Sequence, residues 1–102
     1  MAGNLYVTEY AGLMPSPVGG QGQIPIEPPL AEQVVAFTTH VESNAFNSKT
    51  RLVRLHADAI CSVSFGTAPV ATTSMQRFAA NQTEYKGVPL NASYKVSAVT
   101  NT

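Results

Sequence analysis

The 102-residue sequence has few charges, a single cysteine and no tryptophan. Lys, Arg, Asp and Glu together make up 12% of the chain, against a usual share of about 25%, and the net charge is zero. A neutral chain offers no basic patch for nucleic acid or for an anionic membrane, so we expect neither as a partner. One cysteine cannot form a disulfide within the chain.

Long apolar runs are also missing. No stretch approaches the ~20 apolar residues of a membrane-spanning helix, and residues 1–20 lack the basic start and the apolar run of a secretion signal. We therefore expect the protein to fold in a reducing cytoplasm. A chain with 44% apolar residues and so little charge fits a protein whose surface a partner partly covers. The same composition fits a monomer that tends to self-associate equally well.

Alternating apolar and polar residues predict strands, and the clearest alternation lies in residues 50–66, TRLVRLHADAICSVSFG. Its second half places Cys61, Val63 and Phe65 on one side and serines on the other, which is the period of a strand with one buried face. The Ala-Asp-Ala between its two apolar halves predicts a turn, since Asp tolerates turn geometry. We therefore expect a hairpin at the centre of the fold, with Val63 and Phe65 almost fully buried.

The same alternation recurs through the rest of the chain. Further strands are predicted at residues 4–10, 33–41, 76–80, 83–88 and 93–99, with turns at 81–82 and 89–92. Together with the hairpin this makes about seven strands, and no amphipathic helix pattern of useful length is present. We expect an all-β fold: a single domain over residues 1–102, built as a β-sandwich or a jelly-roll-like barrel.

Residues 11–32 interrupt the alternation, because they contain five of the seven prolines and four of the seven glycines. Proline lacks the backbone donor that a ladder needs, and glycine loses much entropy in a regular element, so we expect no regular ladder here. The segment is either a long surface loop or an extended N-terminal arm that lies on a neighbouring subunit. The second interpretation rests on apolar side chains that a solvated linker would not require. These are the expected partner-binding residues: Leu13, Met14, Val18, Ile24, Ile26 and Leu30.

Side chains with metal-binding or nucleophilic chemistry form no recognised motif. His40, Glu42, His56 and Asp58 do not have the spacing of a known metal-ligand set. Cys61 shares a strand face with residues expected in the core, so we expect an inert buried thiol rather than a nucleophile activated by a histidine.

The serine and glycine patterns do not indicate a catalytic or phosphate-binding site either. Ser62 and Ser64 are expected on the outer face of a strand, not on the strained turn of a nucleophilic serine. The GGQG at residues 19–22 is not followed by the Lys-Ser/Thr and helix of a phosphate-binding loop. We expect no catalytic site, no metal and no cofactor.

Strand and turn features of the second half of the chain resemble a known class of protein. Residues 51–88 contain VRLHADAICSVSFG, then a small-residue loop with Pro69 and Ala71-Thr72, then AANQTEYKGV, and the last strand reads YKVSAVTNT. In these features the chain resembles the short virion structural proteins of tailed bacteriophages and prophages. The arm contributes little to the resemblance, and no catalytic signature takes part in it.

The resemblance implies a small β-sandwich or jelly-roll protein that is present in many copies on the virion. The nearest role is that of a head decoration, or cement, protein, which binds the major capsid protein and clamps neighbouring capsomers. It also implies a homo-oligomer, a dimer or trimer, that is made in the host cytoplasm and resides on the capsid surface. Repetition over a closed shell turns modest contacts into large avidity.

Two other classes of function remain open from the sequence. A tail or head-fibre component that binds a host glycan would use the same fold, with Tyr6, Tyr10 and Tyr85 as exposed aromatic side chains. A small enzyme would need a convergent polar pocket, which the sequence does not indicate.

Overall fold

A computed structural model describes residues 3–15, 21–25 and 27–101. These residues form ten β-strands. The strands are β1 (Gly3–Tyr10), β2 (Leu13–Pro15), β3 (Gln21–Pro25), β4 (Ala31–Phe37), β5 (Val41–Glu42), β6 (Leu52–Ala57), β7 (Cys61–Gly66), β8 (Gln76–Phe78), β9 (Gln82–Gly87) and β10 (Lys95–Thr100). Within these ranges, no helix has the length and apolarity needed to cross a membrane.

Eight of the strands build two antiparallel sheets. Sheet I has the order β4-β1-β6-β9 and sheet II the order β5-β10-β7-β8, while β2 and β3 pair with each other. The chain changes sheet repeatedly, since β4 and β6 lie in sheet I and β5 and β7 in sheet II. The prediction of an all-β chain is confirmed. The expected count of about seven strands omitted β2, β3 and β5, which are short or lie in the proline-rich segment.

Inward-facing residues of both sheets share one hydrophobic core. In β6 fully buried residues alternate with partly buried ones, as the sequence pattern requires, whereas in β10 the three consecutive residues Val96, Ser97 and Ala98 are all buried. The members of the core are Leu5, Val7, Val35, Phe37, Phe46, Val53, Leu55, Ala57, Cys61, Val63, Phe78, Val96 and Ala98. The predicted burial of Val63 is confirmed. The predicted burial of Phe65 is wrong in degree, because Phe65 is only partly buried at the margin of the core. Its ring lies beside that of Phe46, with the ring centroids 6.3 Å apart.

The expected hairpin at residues 50–66 is not formed, although both of its strands are. The first strand, β6, lies between β1 and β9, and the second, β7, lies between β10 and β8. The turn after Ala57 therefore leads from one sheet to the other. The physical reason is burial: Leu55 and Val63 belong to the same core, and strands in opposite sheets can both direct their apolar faces into it.

The outer face of sheet II is covered by the chain itself, which the alternation did not indicate. Ser62 was expected outside, yet Ser62 and Ser97, which lie on the neighbouring strands β7 and β10, are both 0% exposed. The loop at residues 67–75 lies over them: the Ala71 N–H donates to Ser97 Oγ at 3.1 Å. Asn101 Nδ2 donates to Ser62 Oγ at 2.7 Å and to the Thr73 carbonyl at 3.1 Å. The expected exposure of Ser62 is therefore wrong.

The proline-rich segment contains a short ladder, so the expectation of none was also wrong. Leu13 of β2 faces Pro25 of β3 and Pro15 faces Gln21, with an irregularity between the two pairs. Pro15 and Pro25 are the last residues of their strands, where a missing N–H costs the ladder least.

The end of this segment is tied back to β1. The Leu30 N–H donates to the Glu9 carbonyl at 2.7 Å, and the Tyr10 hydroxyl donates to the Glu27 carboxylate at 2.9 Å. The chain therefore leaves β1 and returns to its neighbour β4 at the same place.

Candidate binding surface

The outer face of sheet I presents large side chains to solvent. Tyr6, Val34 and Tyr85 are 41%, 55% and 51% exposed. They lie on β1, β4 and β9, three of the four strands of the sheet. We name this surface the open face and define it by its outward residues: Tyr6, Thr8, Glu32, Val34, Arg54, His56, Thr83 and Tyr85.

The strand register arranges the open face in two rows. One row runs Val34, Tyr6, His56, Thr83, and the next runs Glu32, Thr8, Arg54, Tyr85. Tyr6 and Tyr85 consequently stand on opposite sides of β6, about 10 Å apart across the sheet, or two strand spacings. Arg54 and His56 lie between them. Two aromatic rings thus flank a cation and an imidazole on one surface.

The open face is slightly concave and is ordered by its own contacts. A shallow depression of 590 Å³ is lined by residues of β1, β4 and β6 together with Asp58. His56 Nδ1 lies 2.7 Å from Thr83 Oγ1, and the His56 and Tyr6 rings have centroids 6.3 Å apart at 51°. Asp58 accepts a hydrogen bond from the Asn4 N–H at 2.6 Å. These contacts fix side chains in place without covering the aromatic residues.

The two outer faces of the molecule therefore differ. The outer face of sheet II carries serines beneath the 67–75 loop, as described above. On the outer face of sheet I the chain covers Tyr10, whose hydroxyl is bound by Glu27, but it leaves Tyr6, Val34 and Tyr85 exposed. Exposed apolar side chains that adjoin one another indicate an interaction surface more often than isolated ones do. The open face is thus the candidate functional site.

The structure places the expected partner-binding residues of the arm only in part. Val18 and Ile26 lie outside the described residues. Met14 belongs to β2 and Ile24 to β3. Leu13 is partly buried and Leu30 is 36% exposed. Their role in binding a partner stays a prediction.

The residues considered for chemistry are not brought together. His40 Nδ1 lies 2.6 Å from Ser97 Oγ of sheet II, whereas His56 contacts Thr83 of sheet I. Cys61 is 0% exposed. Among the described residues, no group of three or more His, Cys, Asp and Glu side chains is placed to hold a metal ion. The arrangement of the open face suits binding by shape, aromatic contact and hydrogen bonding.

Two buried groups have raised pKa values. Burial raises the pKa of the Cys61 thiol to about 11, and the nearby Asp58 carboxylate adds to the shift. Because the thiolate is the reactive form, this thiol is poorly placed to act as a nucleophile at neutral pH. Burial and then the hydrogen bond to Glu27 raise the pKa of Tyr10.

Sequence reasoning found the tyrosines of the site but not the site. The glycan-binding alternative would use Tyr6, Tyr10 and Tyr85 as exposed side chains, and Tyr6 and Tyr85 are exposed. Tyr10 was expected with them but is 5% exposed, since its ring is covered and its hydroxyl is held by Glu27. Nothing in one sequence indicated that Val34, Tyr6 and Tyr85 would share a sheet, because strand order depends on long-range pairing.

Comparison with protein-family models, with curated proteins and with solved structures finds no match for this chain.

Proposed function

We propose that the chain is a virion structural protein of a tailed bacteriophage or prophage, and specifically a capsid decoration protein. It binds the major capsid protein on the outside of the head and stabilises the shell. It acts by binding and not by catalysis, and it needs no cofactor. The observation that carries the proposal is the open face, together with the virion resemblance of the second half of the chain.

The asymmetry of the two outer faces supports attachment to a larger surface. Tyr6, Val34 and Tyr85 remain exposed on sheet I although the chain has a loop that covers sheet II. A protein held flat against a shell needs one such uncovered apolar surface and little charge to desolvate. Full burial of a large apolar side chain contributes about 1.5–3 kcal/mol, so three of them give a modest single contact that repetition over the shell multiplies.

We further propose that the two sheets stack as a jelly-roll-like sandwich. The support is the strand order β4-β1-β6-β9 and β5-β10-β7-β8, in which the chain alternates between sheets, and the core that both sheets share. A rigid sandwich would hold the open face in one shape, and so reduce the entropy lost on attachment.

The segment 11–32 is proposed as an attachment arm beside this face. Its short ladder β2-β3 is not hydrogen-bonded into either four-stranded sheet. Prolines restrict the free segment and so lower the entropy lost when it docks. The arm would contact the capsid shell or a sister copy outside its own subunit.

Binding to heads that lack the protein tests the proposal. The variant without residues 13–29 should fold, because Glu9 faces Ala31 and the remaining Tyr10, Ala11, Gly12 and Leu30 suffice for a short hairpin loop. Both this deletion and Tyr85→Ala should bind heads more weakly than the wild type. Val70→Ala is the matched control, since Val70 is 57% exposed on the loop over sheet II and should bind normally.

The outcome separates the proposal from its competitors. Co-sedimentation of the wild-type protein with heads, lost in the deletion and weakened in Tyr85→Ala, supports it. Failure of the folded wild-type protein to bind heads, or unchanged affinity in both variants, contradicts it.

The second candidate is a tail or head-fibre component that binds a host glycan. The observation that favours it is the pair Tyr6 and Tyr85 on one face, with Arg54 and His56 between them. Sugar rings stack on aromatic side chains, and their hydroxyls accept and donate hydrogen bonds to such neighbours. A glycan-array signal that Tyr85→Ala abolishes, without binding to heads, would favour this function over decoration.

A further inference from the structure

The edges of the two sheets are protected unequally. An unpaired edge strand displays free N–H and C=O groups, and proteins usually shield such edges with short strands, inward-pointing charges or covering segments. In sheet II the edge strands are short: β5 has 2 residues and β8 has 3. Both edges of sheet II therefore offer little to pair with.

The β9 edge of sheet I is protected by charge. Glu84 and Lys86 face Leu55 and Val53, two core residues, so their side chains point inward at the edge of the sheet. They form an ion pair at 2.7 Å, and Lys86 Nζ lies 6.0 Å from the centroid of the Phe78 ring. Another strand added here would have to cover these charges, which disfavours pairing.

The β4 edge of sheet I has none of these devices. The strand has 7 residues, AEQVVAF, without proline, lysine or arginine. Its inner edge pairs with β1, and within the described ranges no backbone group pairs with its outer edge. Two side-chain bonds link Gln33 to the backbone of Asn44, and they leave the outer backbone of β4 unpaired. This is the longest edge strand without protection in the described structure.

We infer that two copies of this chain pair through their β4 strands, antiparallel and about a two-fold axis at Val34. The pairing joins the two four-stranded sheets into one continuous sheet of eight. Val34 is the midpoint of Ala31–Phe37, so this register alone pairs the whole strand with itself. The inference concerns self-association and stands independently of the proposed attachment to capsids.

The sequence of β4 is complementary to itself in this register. The outward residues meet as Glu32 with Ala36 and Val34 with Val34, so no like charges stand opposite each other. The inward residues meet as Val35 with Gln33 and as Phe37 with Ala31. Val34 is 55% exposed in the single chain, and the pairing brings the two Val34 side chains into lateral contact on the outer face while leaving that face open. Each copy uses the same strand for the contact, so the contact is complete with two copies, as expected of a two-fold dimer.

Size measurement on matched variants tests the inference. The wild-type protein should elute in multi-angle light scattering with twice the 10.8 kDa mass of the chain. Val34→Lys places two cations on the axis and should weaken dimerisation at least about tenfold. Thr83→Lys is the control, because Thr83 is exposed on the same face of sheet I but on the opposite, protected edge. Its mass should equal that of the wild type.

A cysteine variant provides a second readout that does not depend on stability. Residues directly opposite in antiparallel strands have Cα atoms about 4.5–5.5 Å apart, which lies within the Cα separation that a disulfide spans. Val34→Cys should therefore form a disulfide-linked dimer rapidly on mild oxidation, while Thr83→Cys should not; the natural Cys61 is buried and should not interfere. A monomeric wild type at its highest soluble concentration, or equal dimerisation or equal crosslinking of the Val34 and Thr83 variants, would overturn the inference.

Discussion

Replacement of Glu9 tests how the long connection between β5 and β6 is held. Glu9 is 1% exposed, although it is charged and lies at the end of β1. Its Oε1 accepts the Asn47 N–H at 2.7 Å and the Thr50 hydroxyl at 2.8 Å. A buried carboxylate is tolerated only when such donors replace water, so Glu9 and this connection should stabilise each other.

The size of the effect follows from these two bonds. A hydrogen bond to a charged group contributes about 1.5–3 kcal/mol, and a buried donor left without an acceptor costs about 1–3 kcal/mol. Thr50 is buried, so its hydroxyl would be left without an acceptor, whereas Asn47 is exposed and its N–H can bind water instead. Glu9→Ala should therefore lower the free energy of unfolding by about 3 kcal/mol. Glu9→Gln retains an acceptor oxygen and should cost about 1–2 kcal/mol.

Urea unfolding followed by circular dichroism measures these differences as shifts in the midpoint at constant slope. Thr50→Val removes one donor and should cost about 1 kcal/mol alone. The double variant, Glu9→Ala with Thr50→Val, should lose less free energy of unfolding than the sum of the two single losses, because both changes break the same hydrogen bond. A Glu9→Ala protein within about 0.5 kcal/mol of the wild type, or strict additivity in the double variant, would refute the reasoning.

Three further predictions follow from the core and from the loop over sheet II. Cys61 should react slowly with a thiol reagent in the folded protein and rapidly after denaturation. Because folding raises the pKa of this thiol from 9.0 to about 11, the free energy of unfolding should fall as the pH rises through that interval. The decrease should be smaller in the Cys61→Ala variant. Phe78→Ala should cost about 3–5 kcal/mol in urea unfolding, while the exposed Tyr85→Ala should cost at most about 0.5 kcal/mol. Ser97→Ala removes the acceptor of the Ala71 N–H, so limited proteolysis should cut residues 67–75 faster than in the wild type; an unchanged rate would mean that this bond does not hold the loop.

Local features of the fold were predictable because they depend on neighbours in the sequence. The alternation predicted strands at residues 4–10 and 93–99, where β1 and β10 lie, and its apolar residues Leu5, Val7, Val96 and Ala98 belong to the core. The turn expected at residues 81–82 is present, with Asn81 in the left-handed conformation that asparagine tolerates (φ 63°).

Pairing was not predictable in the same way, because it depends on residues far apart in the chain. The turn after Ala57 has the composition of a hairpin, yet it crosses between sheets because β6 is already flanked by β1 and β9. Ser62 has the pattern of an outward residue, yet the 67–75 loop and Asn101 cover it. In each case tertiary contacts overrode a correct local pattern.

The residues that come together in the candidate site were not predictable either, because they lie on strands far apart in the sequence. The glycan-binding alternative named Tyr6 and Tyr85 as exposed aromatic side chains, but their position on either side of β6 follows from strand order. The ladder between β2 and β3 escaped prediction because Pro15 and Pro25 fall at strand ends, where proline is compatible with a two-stranded ribbon.

A density map of intact virions, resolved well enough to fit this fold, tests the proposed function most directly. We expect symmetry-related copies of the 10.8 kDa β domain on the outside of the head, with the open face and residues 11–32 against the major capsid protein. A map that places the protein only in the tail or a fibre, or that has it on the head with Tyr6 and Tyr85 directed to solvent, would contradict it.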